Sequence, residues 1–352
     1  MTPSSDHDEV RRYYGEVLQA SSDLKTGACC PSESMPPALR SQLADIHPEI
    51  TARFYGCGSP MPAVVCGKTV LDLGCGTGRD VYLLSRLVGE RGHVIGIDMT
   101  PEQLAVARRH QAWQAERYGH ARSNVQLIEG RIEDLAACGI ADASVDIVIS
   151  NCVLNLSPDK EKVFAEIFRV LKPGGELHFS DVFADRRIPP ALRSDPVLLG
   201  ECLSGALYVE DFRRMLGRIG CADVRCVSQA PIALNDAQII ARIGMVAFRS
   251  MTLRAFKLDL EDRCEDYGQI ATYRGSIAGQ PHAYLLDDHH RFETGKPTPV
   301  CGNTFDMLAA TRLAGHFDLH GERRVHYGLF ASMSSNPASA ASATIEATQG
   351  CC

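Results

Sequence analysis

The chain lacks several features that would each settle a broad class. No run approaches the roughly 18 consecutive apolar residues of a membrane span. The stretch Met1-Thr2-Pro3-Ser4-Ser5-Asp6-His7-Asp8 has no apolar segment of a secretory leader. A soluble, cytoplasmic protein is the expectation. There is no basic run, and the net charge of −7 gives no electrostatic reason to bind nucleic acid. No Cys-x-x-Cys occurs among the 14 cysteines, which disfavours zinc ribbons and thioredoxin-like redox sites. Fourteen in 352 residues is also well short of the roughly 8–10% of a disulfide scaffold. Cytosolic thiols are normally reduced, so any special cysteine needs another job. No internal repeat is visible.

What is present is an alternation of strand and helix. Apolar runs predict strands at Thr69–Leu73, Val94–Asp98, Val125–Glu129, Val145–Ser150 and Glu176–Ser180. Between them the pattern predicts helices at Arg79–Val88, Glu102–Tyr118 and Lys160–Leu171, the last stopped by Pro173-Gly174-Gly175. Short apolar strands alternating with helices indicate an α/β fold with a parallel sheet covered on both faces. Further helices are expected at Val10–Leu18, Ala38–Ile46, Gly200–Leu207 and Val209–Ile219; Val224–Val227 and Gly244–Thr252 could finish the sheet as a hairpin. The expected division is a helical segment over residues 1–55, a core over 56–254 and a small α+β unit over 255–331. A Ser/Ala-rich tail over 332–352 is expected to be disordered and ends in Cys351-Cys352.

Two places carry chemistry. Gly74, Gly76 and Gly78 follow the first strand and open a helix, where glycine lets the backbone approach a ligand closely. Asp98 ends the second strand, 24 positions after Gly74, where a carboxylate can accept both ribose hydroxyls. The second place is Cys152, which ends the run Val145-Asp146-Ile147-Val148-Ile149-Ser150-Asn151. In a parallel sheet it emerges at the carboxyl edge, where such folds hold ligands. A thiol there suggests a substrate that wants sulfur. Cys202 follows the fifth strand and shares that rim, while Cys29 and Cys57 lie in Gly/Pro-containing loops that could fold over it. Cys75, inside the glycine turn, packs or lines the ligand; Cys66, Cys138, Cys221, Cys226, Cys264 and Cys301 read as buried spacers. His289-His290 follows two aspartates and reads as solvated.

The glycine spacing departs from the nicotinamide fingerprint. Leu71-Asp72-Leu73-Gly74-Cys75-Gly76-Thr77-Gly78 with Gly96-Ile97-Asp98-Met99 and Leu171-Lys172-Pro173-Gly174-Gly175 resembles the class I methyltransferase pattern. That resemblance implies a Rossmann-like sheet, with a helical N-terminal cap and a small C-terminal α+β domain, and S-adenosylmethionine as cofactor. It also implies that Tyr55, Asp72, Arg79, Met99 and Asn151 join the glycines and Asp98 around it. Ile132 and Glu133 are its candidates for the adenine side. Asp23-Leu24-Lys25-Thr26-Gly27-Ala28-Cys29, Tyr55-Gly56-Cys57-Gly58, Ser150-Asn151-Cys152-Val153-Leu154-Asn155 and Gly200-Glu201-Cys202-Leu203 together resemble the arsenite methyltransferases, from about residue 10 to about residue 225.

That family implies catalytic roles for Cys29, Cys57, Cys152 and Cys202, and arsenic(III) bound by Cys57, Cys152 and Cys202. Cys152 and Cys202 are implied as persistent ligands, and Cys29 with Cys57 as the thiol pair that becomes a disulfide. An arsenic-binding insertion near 184–220, a monomer, no tightly bound metal cofactor, and thioredoxin or glutathione as reductant complete the expectation. Arsenite would enter as such or as thiol conjugates. The residues support the chemistry independently, since thiolates suit a soft centre. Two other readings fit the cofactor motifs or the thiols alone: a methyltransferase acting on carbon or oxygen of a quinone or sterol, and a thiol-based metalloid sensor without catalysis.

Overall fold

In the computed structural model, residues 7, 10–12, 35, 37–192, 198–199, 202–234 and 236–330 are described. Cys29, Cys30, Glu201 and the tail with Cys351-Cys352 lie outside them, as does most of the helix expected at Val10–Leu18. The central sheet has the order β3-β2-β1-β4-β5-β8-β7. Its strands are β1 (Thr69–Leu73), β2 (His93–Asp98), β3 (Val125–Glu129), β4 (Val145–Asn151), β5 (Leu171–Ala184), β6 (Leu207–Tyr208, paired to β5), β7 (Val224–Pro231) and β8 (Phe248–Phe256). Strands β1 to β6 pair in parallel, whereas β8 runs antiparallel to both β5 and β7. The sheet is therefore mixed, with the expected hairpin as its antiparallel edge and a helix, Ala237–Ile243, between the two arms.

Side-chain alternation splits the core between the sheet's faces. Leu71, Leu73, Ile97 and Val148 pack with Phe164 and Ile167 of the helix Lys160–Val170. Val70, Val94, Ile147 and Ile149 pack with Val81, Leu83 and Leu84 of the helix Arg79–Val88. Both faces are covered, which is why these strands read as apolar almost without a break. A further apolar cluster lies beyond the carboxyl edge and includes Cys57, Cys152 and Cys202 with Val182, Leu203 and Phe248. Residues 269–320 add a three-stranded antiparallel sheet, Gln269–Tyr273, Pro297–Val300 and Phe317–His320, with the helix Gly302–Ala309. Among the described residues no helix is long and apolar enough to cross a membrane.

Several expected elements differ. The helix expected over Glu102–Tyr118 is two, Pro101–Arg109 and Gln111–Arg117. His110 leaves helical geometry between them (φ −100°, ψ 4°), and its ring is held by Glu49 and stacked on His47. Ala38–Ile46 is a short helix, Pro37–Arg40, followed by the 3₁₀ turn Ser41–Asp45. The helix expected at Gly200–Leu207 does not extend through Cys202, whose φ of 63° is left-handed; Leu207 already pairs with β5. Pro173-Gly174-Gly175 stops the helix at Val170, but the chain enters β5 directly, with Gly174 supplying a φ of 73°.

Candidate functional site

Strand order reverses between β1 and its neighbours β2 and β4, and the loops leaving β1 and β4 lie side by side, with Leu73 in register with Ser150. In α/β sheets that position holds the ligand. The approach is close: a Cβ on Gly74 would meet Val153 Cγ2 at 2.4 Å, and the φ of 70° is also one glycine tolerates best. Gly76 is different. The nearest atom to a Cβ there is 3.9 Å away, so its bare backbone faces an open cleft. Asp98 fixes the turn, its two oxygens accepting from Gly76 N and Thr100 N at 2.8 Å each.

The cleft is walled by Tyr55, Asp72, Gly74, Gly76, Arg79 and Asp98, closed on the next side by Met99, Ile132 and Glu133, and completed by Asn151 and Cys152. Gly78 is absent from that lining. Its left-handed φ of 91° opens the helix Arg79–Val88 instead. Three carboxylates lie close by, the buried Asp72 and Asp80 and the half-buried Asp98. Arg79 is committed to Asp80 (Nε to Oδ1, 2.7 Å) and stacks on Phe54. Burial, and then the charges of Asp80 and Asp98, push the Asp72 carboxyl well above its usual range. A site so built favours a cation.

Asn151 ties the cleft to the thiols. Its Oδ1 accepts from Cys57 N and Gly58 N at 3.2 Å each, and its Nδ2 donates to Gly58 O at 2.9 Å and Asp80 Oδ2 at 3.1 Å. Its amide thus holds the loop carrying Cys57. Glycines flank Cys57 because the backbone is pressed inward: a Cβ on Gly58 would meet Ser180 Oγ at 2.5 Å. Ser250 Oγ donates to Cys57 O at 2.6 Å.

The sulfurs of Cys57 and Cys152 are joined, S–S 2.07 Å, with the Cα atoms 5.8 Å apart. Cys29, which the family resemblance implies as the disulfide partner of Cys57, lies outside the described residues. Here Cys57 is bonded to Cys152, because the Asn151-anchored loop sets it against the end of β4. Cys202 Sγ donates to Cys152 O at 3.1 Å, which sets the third cysteine against the end of β4. Cys152 and Cys202 both have left-handed backbones, φ 58° and 63°, uncommon for residues with a Cβ and typical of functional positions. Asp181, which sequence reasoning did not single out, places a carboxylate oxygen within 4.8 Å of both bonded sulfurs. Burial raises its carboxyl to about 7, against hydrogen bonds from Val182 N and Asn155 N.

A family model described as a methyltransferase domain matches residues 66–220. The arsenite methyltransferase of Aquipseudomonas alcaligenes is 53% identical over 98% of this chain and all of its own length. The chain belongs to the arsenite methyltransferase family. The human arsenite methyltransferase is 41% identical over 88% of this chain and 82% of its own. The crystal structure of the arsenic(III) S-adenosylmethionine methyltransferase from Chlamydomonas reinhardtii superposes with a TM-score of 0.81 at 52% identity, covering 84% of this chain and 99% of that one.

S-adenosylmethionine is the methyl donor of this family of methyltransferases, and the cleft fits it on two counts. Its ribose hydroxyls suit Asp98, whose oxygens each keep a lone pair after the two backbone bonds. Its ammonium and sulfonium suit the carboxylates around Asp72. Cation binding favours ionised Asp72, so the donor should release a proton on binding and bind more tightly as pH rises toward the raised value. Asp72→Asn should weaken it by about 10–100-fold and abolish that proton release, read by calorimetry in buffers of different ionisation enthalpy. Equal proton release in the variant would contradict the assignment.

The sequence missed Asp80, Asp181 and His7. His7 Nε2 donates to Glu133 Oε1 at 2.9 Å and lines the cleft from 126 positions away in sequence. No local pattern carries such a contact.

Proposed function

We propose that this chain methylates trivalent arsenic held on Cys57, Cys152 and Cys202, within the core over residues 56–254 and its arsenic-binding segment near 184–220. The observation that carries the reading is the seat of Cys152: it is at once part of the cofactor cleft, bonded to Cys57 and hydrogen-bonded through its carbonyl to Cys202. The cycle begins with reduction of Cys57–Cys152 by a dithiol or by two equivalents of a monothiol, thioredoxin or glutathione in class, which leaves as its own disulfide. Three thiols then displace three hydroxyls of arsenite as water. Asp181 is placed to take and return the protons involved, and the apolar cluster around the sulfurs keeps water away.

Bound in the cleft, S-adenosylmethionine supplies an electrophilic methyl group. The protein's part is to aim the arsenic lone pair at it, and alignment alone is worth up to roughly 7–11 kcal/mol in favourable systems. Methylation takes arsenic to the pentavalent state. Two thiolates leaving it as a disulfide return the two electrons, and Cys57 with Cys152 is a pair close enough to do so. Cys29 acts next. Its thiolate attacks Cys57, forming Cys29–Cys57 and releasing Cys152 as thiolate. The external thiol then reduces Cys29–Cys57 and leaves as its own disulfide, so that all three ligand thiols are free for the next arsenic. The rate of arsenite capture should rise with pH toward the thiol range near 8.5, because the thiolate is the attacking form.

The deciding experiment is incubation with arsenite, the methyl donor and thioredoxin, with products identified by mass spectrometry. Methylated arsenic is expected; its absence with the donor bound would reject the reading. In the same assay Cys29→Ser should spare turnover of a methylated trivalent arsenical more than turnover of inorganic arsenite. Equal losses on both would remove Cys29 from the exchange step.

A further inference from the structure

Three cysteines that read as spacers in the sequence, Cys226, Cys264 and Cys301, line one open cavity between β7, β8 and the C-terminal unit. That cavity shares no lining residue with the cofactor cleft. Cys264 and Cys301 meet in it around one buried guanidinium: Arg225 Nη2 lies 3.9 Å from each sulfur. Arg225 is buried and held in place by Asp223, through contacts of 2.5 and 2.6 Å, and by Asp287 at 3.2 Å. Cys301 is also the N-cap of the helix Gly302–Ala309, its sulfur accepting from Thr304 N at 3.5 Å and lying 3.3 Å from Thr304 Oγ1. The Cys264 hydrogen bond, the Arg225 charge and the Thr304 contacts outweigh burial and hold the Cys301 thiol well below its ordinary range.

The third thiol stands apart. Burial, then Asp288, pushes Cys226 up to about 12, so it stays protonated. Among the described residues no third histidine, carboxylate or thiol joins Cys264 and Cys301 in a close ligand group. His290, expected to be solvated, instead turns its Nδ1 to Asp287 at 2.7 Å. Cys264 is half-buried and gives access from the cavity, while Cys301 is fully buried behind it.

We propose that Cys264 and Cys301 form a second thiol site that binds trivalent arsenic already carrying one organic substituent. The number of sulfurs sets the preference. Inorganic arsenite has three exchangeable oxygens and is matched by the three cysteines of the catalytic site. A monosubstituted arsenical has two, matched by this pair. Two As–S bonds form, two As–O bonds break, and the hydroxyls leave as two waters, with protons from Cys264 and from solvent. Arsenic stays trivalent and no electrons move. Only the choice of arsenic as ligand rests on the proposed function; the dithiol geometry does not.

The test uses the full chain with Cys29, Cys30, Cys57, Cys152, Cys202, Cys351 and Cys352 changed to serine. It is kept reduced, with no methyl donor, and titrated with phenylarsine oxide. Intact-mass measurement should show one arsenical retained per chain. Adding Cys264→Ser or Cys301→Ser should weaken retention at least about 100-fold, because one-point attachment replaces a chelate. Serine preserves the N-cap at position 301, and a thermal melt checks that each variant folds. Inorganic arsenite should bind the parent at least tenfold more weakly than the probe. Unchanged retention in both variants, no retention in the parent, or preference for arsenite would each overturn the proposal. Because the catalytic thiols and the donor are absent, failure here is distinguishable from failure of the methylation reading.

Discussion

Cys152→Ser and Cys202→Ser should each lower the rate of arsenite methylation by at least about a thousandfold, a modest share of what alignment of reacting groups can supply. Each substitution removes one of three soft ligands and leaves an oxygen that trivalent arsenic does not prefer. The binding of the methyl donor should be little changed, since Asp98, the glycine turn and the carboxylates around Asp72 stay in place. Measuring both quantities on the same variants makes the test sharp. A variant that loses donor binding as well has lost its fold at the rim, and one that keeps wild-type-like turnover rejects the trithiolate site. Serine is the appropriate replacement because both positions have left-handed backbones that a bulkier side chain would strain further. A methyltransferase of quinones or sterols would be nearly indifferent to either change.

Glu176→Gln should destabilise the protein by about 3–5 kcal/mol, the usual consequence of leaving buried charges without their partner. Glu176 is fully buried in β5. It meets Arg254 of β8 at 2.7 Å, His178 at 3.0 Å and Arg312 from the C-terminal region. Arg312 in turn donates to Ala63 O at 2.9 Å, so one carboxylate joins the central sheet, the segment before β1 and the C-terminal unit. Burial alone would raise this carboxyl, but Arg254, Arg312 and then His178 hold it well below 4.5. A depressed carboxyl contributes its stability above the unfolded value and loses it as pH falls through the folded one. Wild type should therefore lose stability steeply in strong acid, and Glu176→Gln should lose part of that dependence. Denaturant titrations of both proteins at neutral and acid pH measure it. A variant as stable as wild type would show that the cluster merely breaks even.

The fold was legible because its signal is local. Apolar runs bounded by glycine and proline located β1 to β4, and the helix Arg79–Val88 begins and ends where its pattern does. Misplaced boundaries fell where a distant contact overrides propensity, as at His110, whose ring is held by His47 and Glu49. The glycine turn and the aspartate at the strand end were legible for the same reason as the strands: both are tied to the sheet by short segments. Gly78 shows the limit, since spacing cannot say which glycine lines the cleft and which opens the helix.

By itself the sequence determined that soft thiols stand on a methyltransferase sheet, because strand periodicity carries Cys152 to the carboxyl edge. The tertiary structure alone decided which thiols meet. Cys57 and Cys152 are 95 positions apart and become neighbours through Asn151, whose amide can grip a loop only once β4 has been placed in the sheet. Cys264 and Cys301 looked like spacers for the same reason. What distinguishes them is a buried arginine on β7 and the end of a helix, brought together by packing between segments that no local pattern relates.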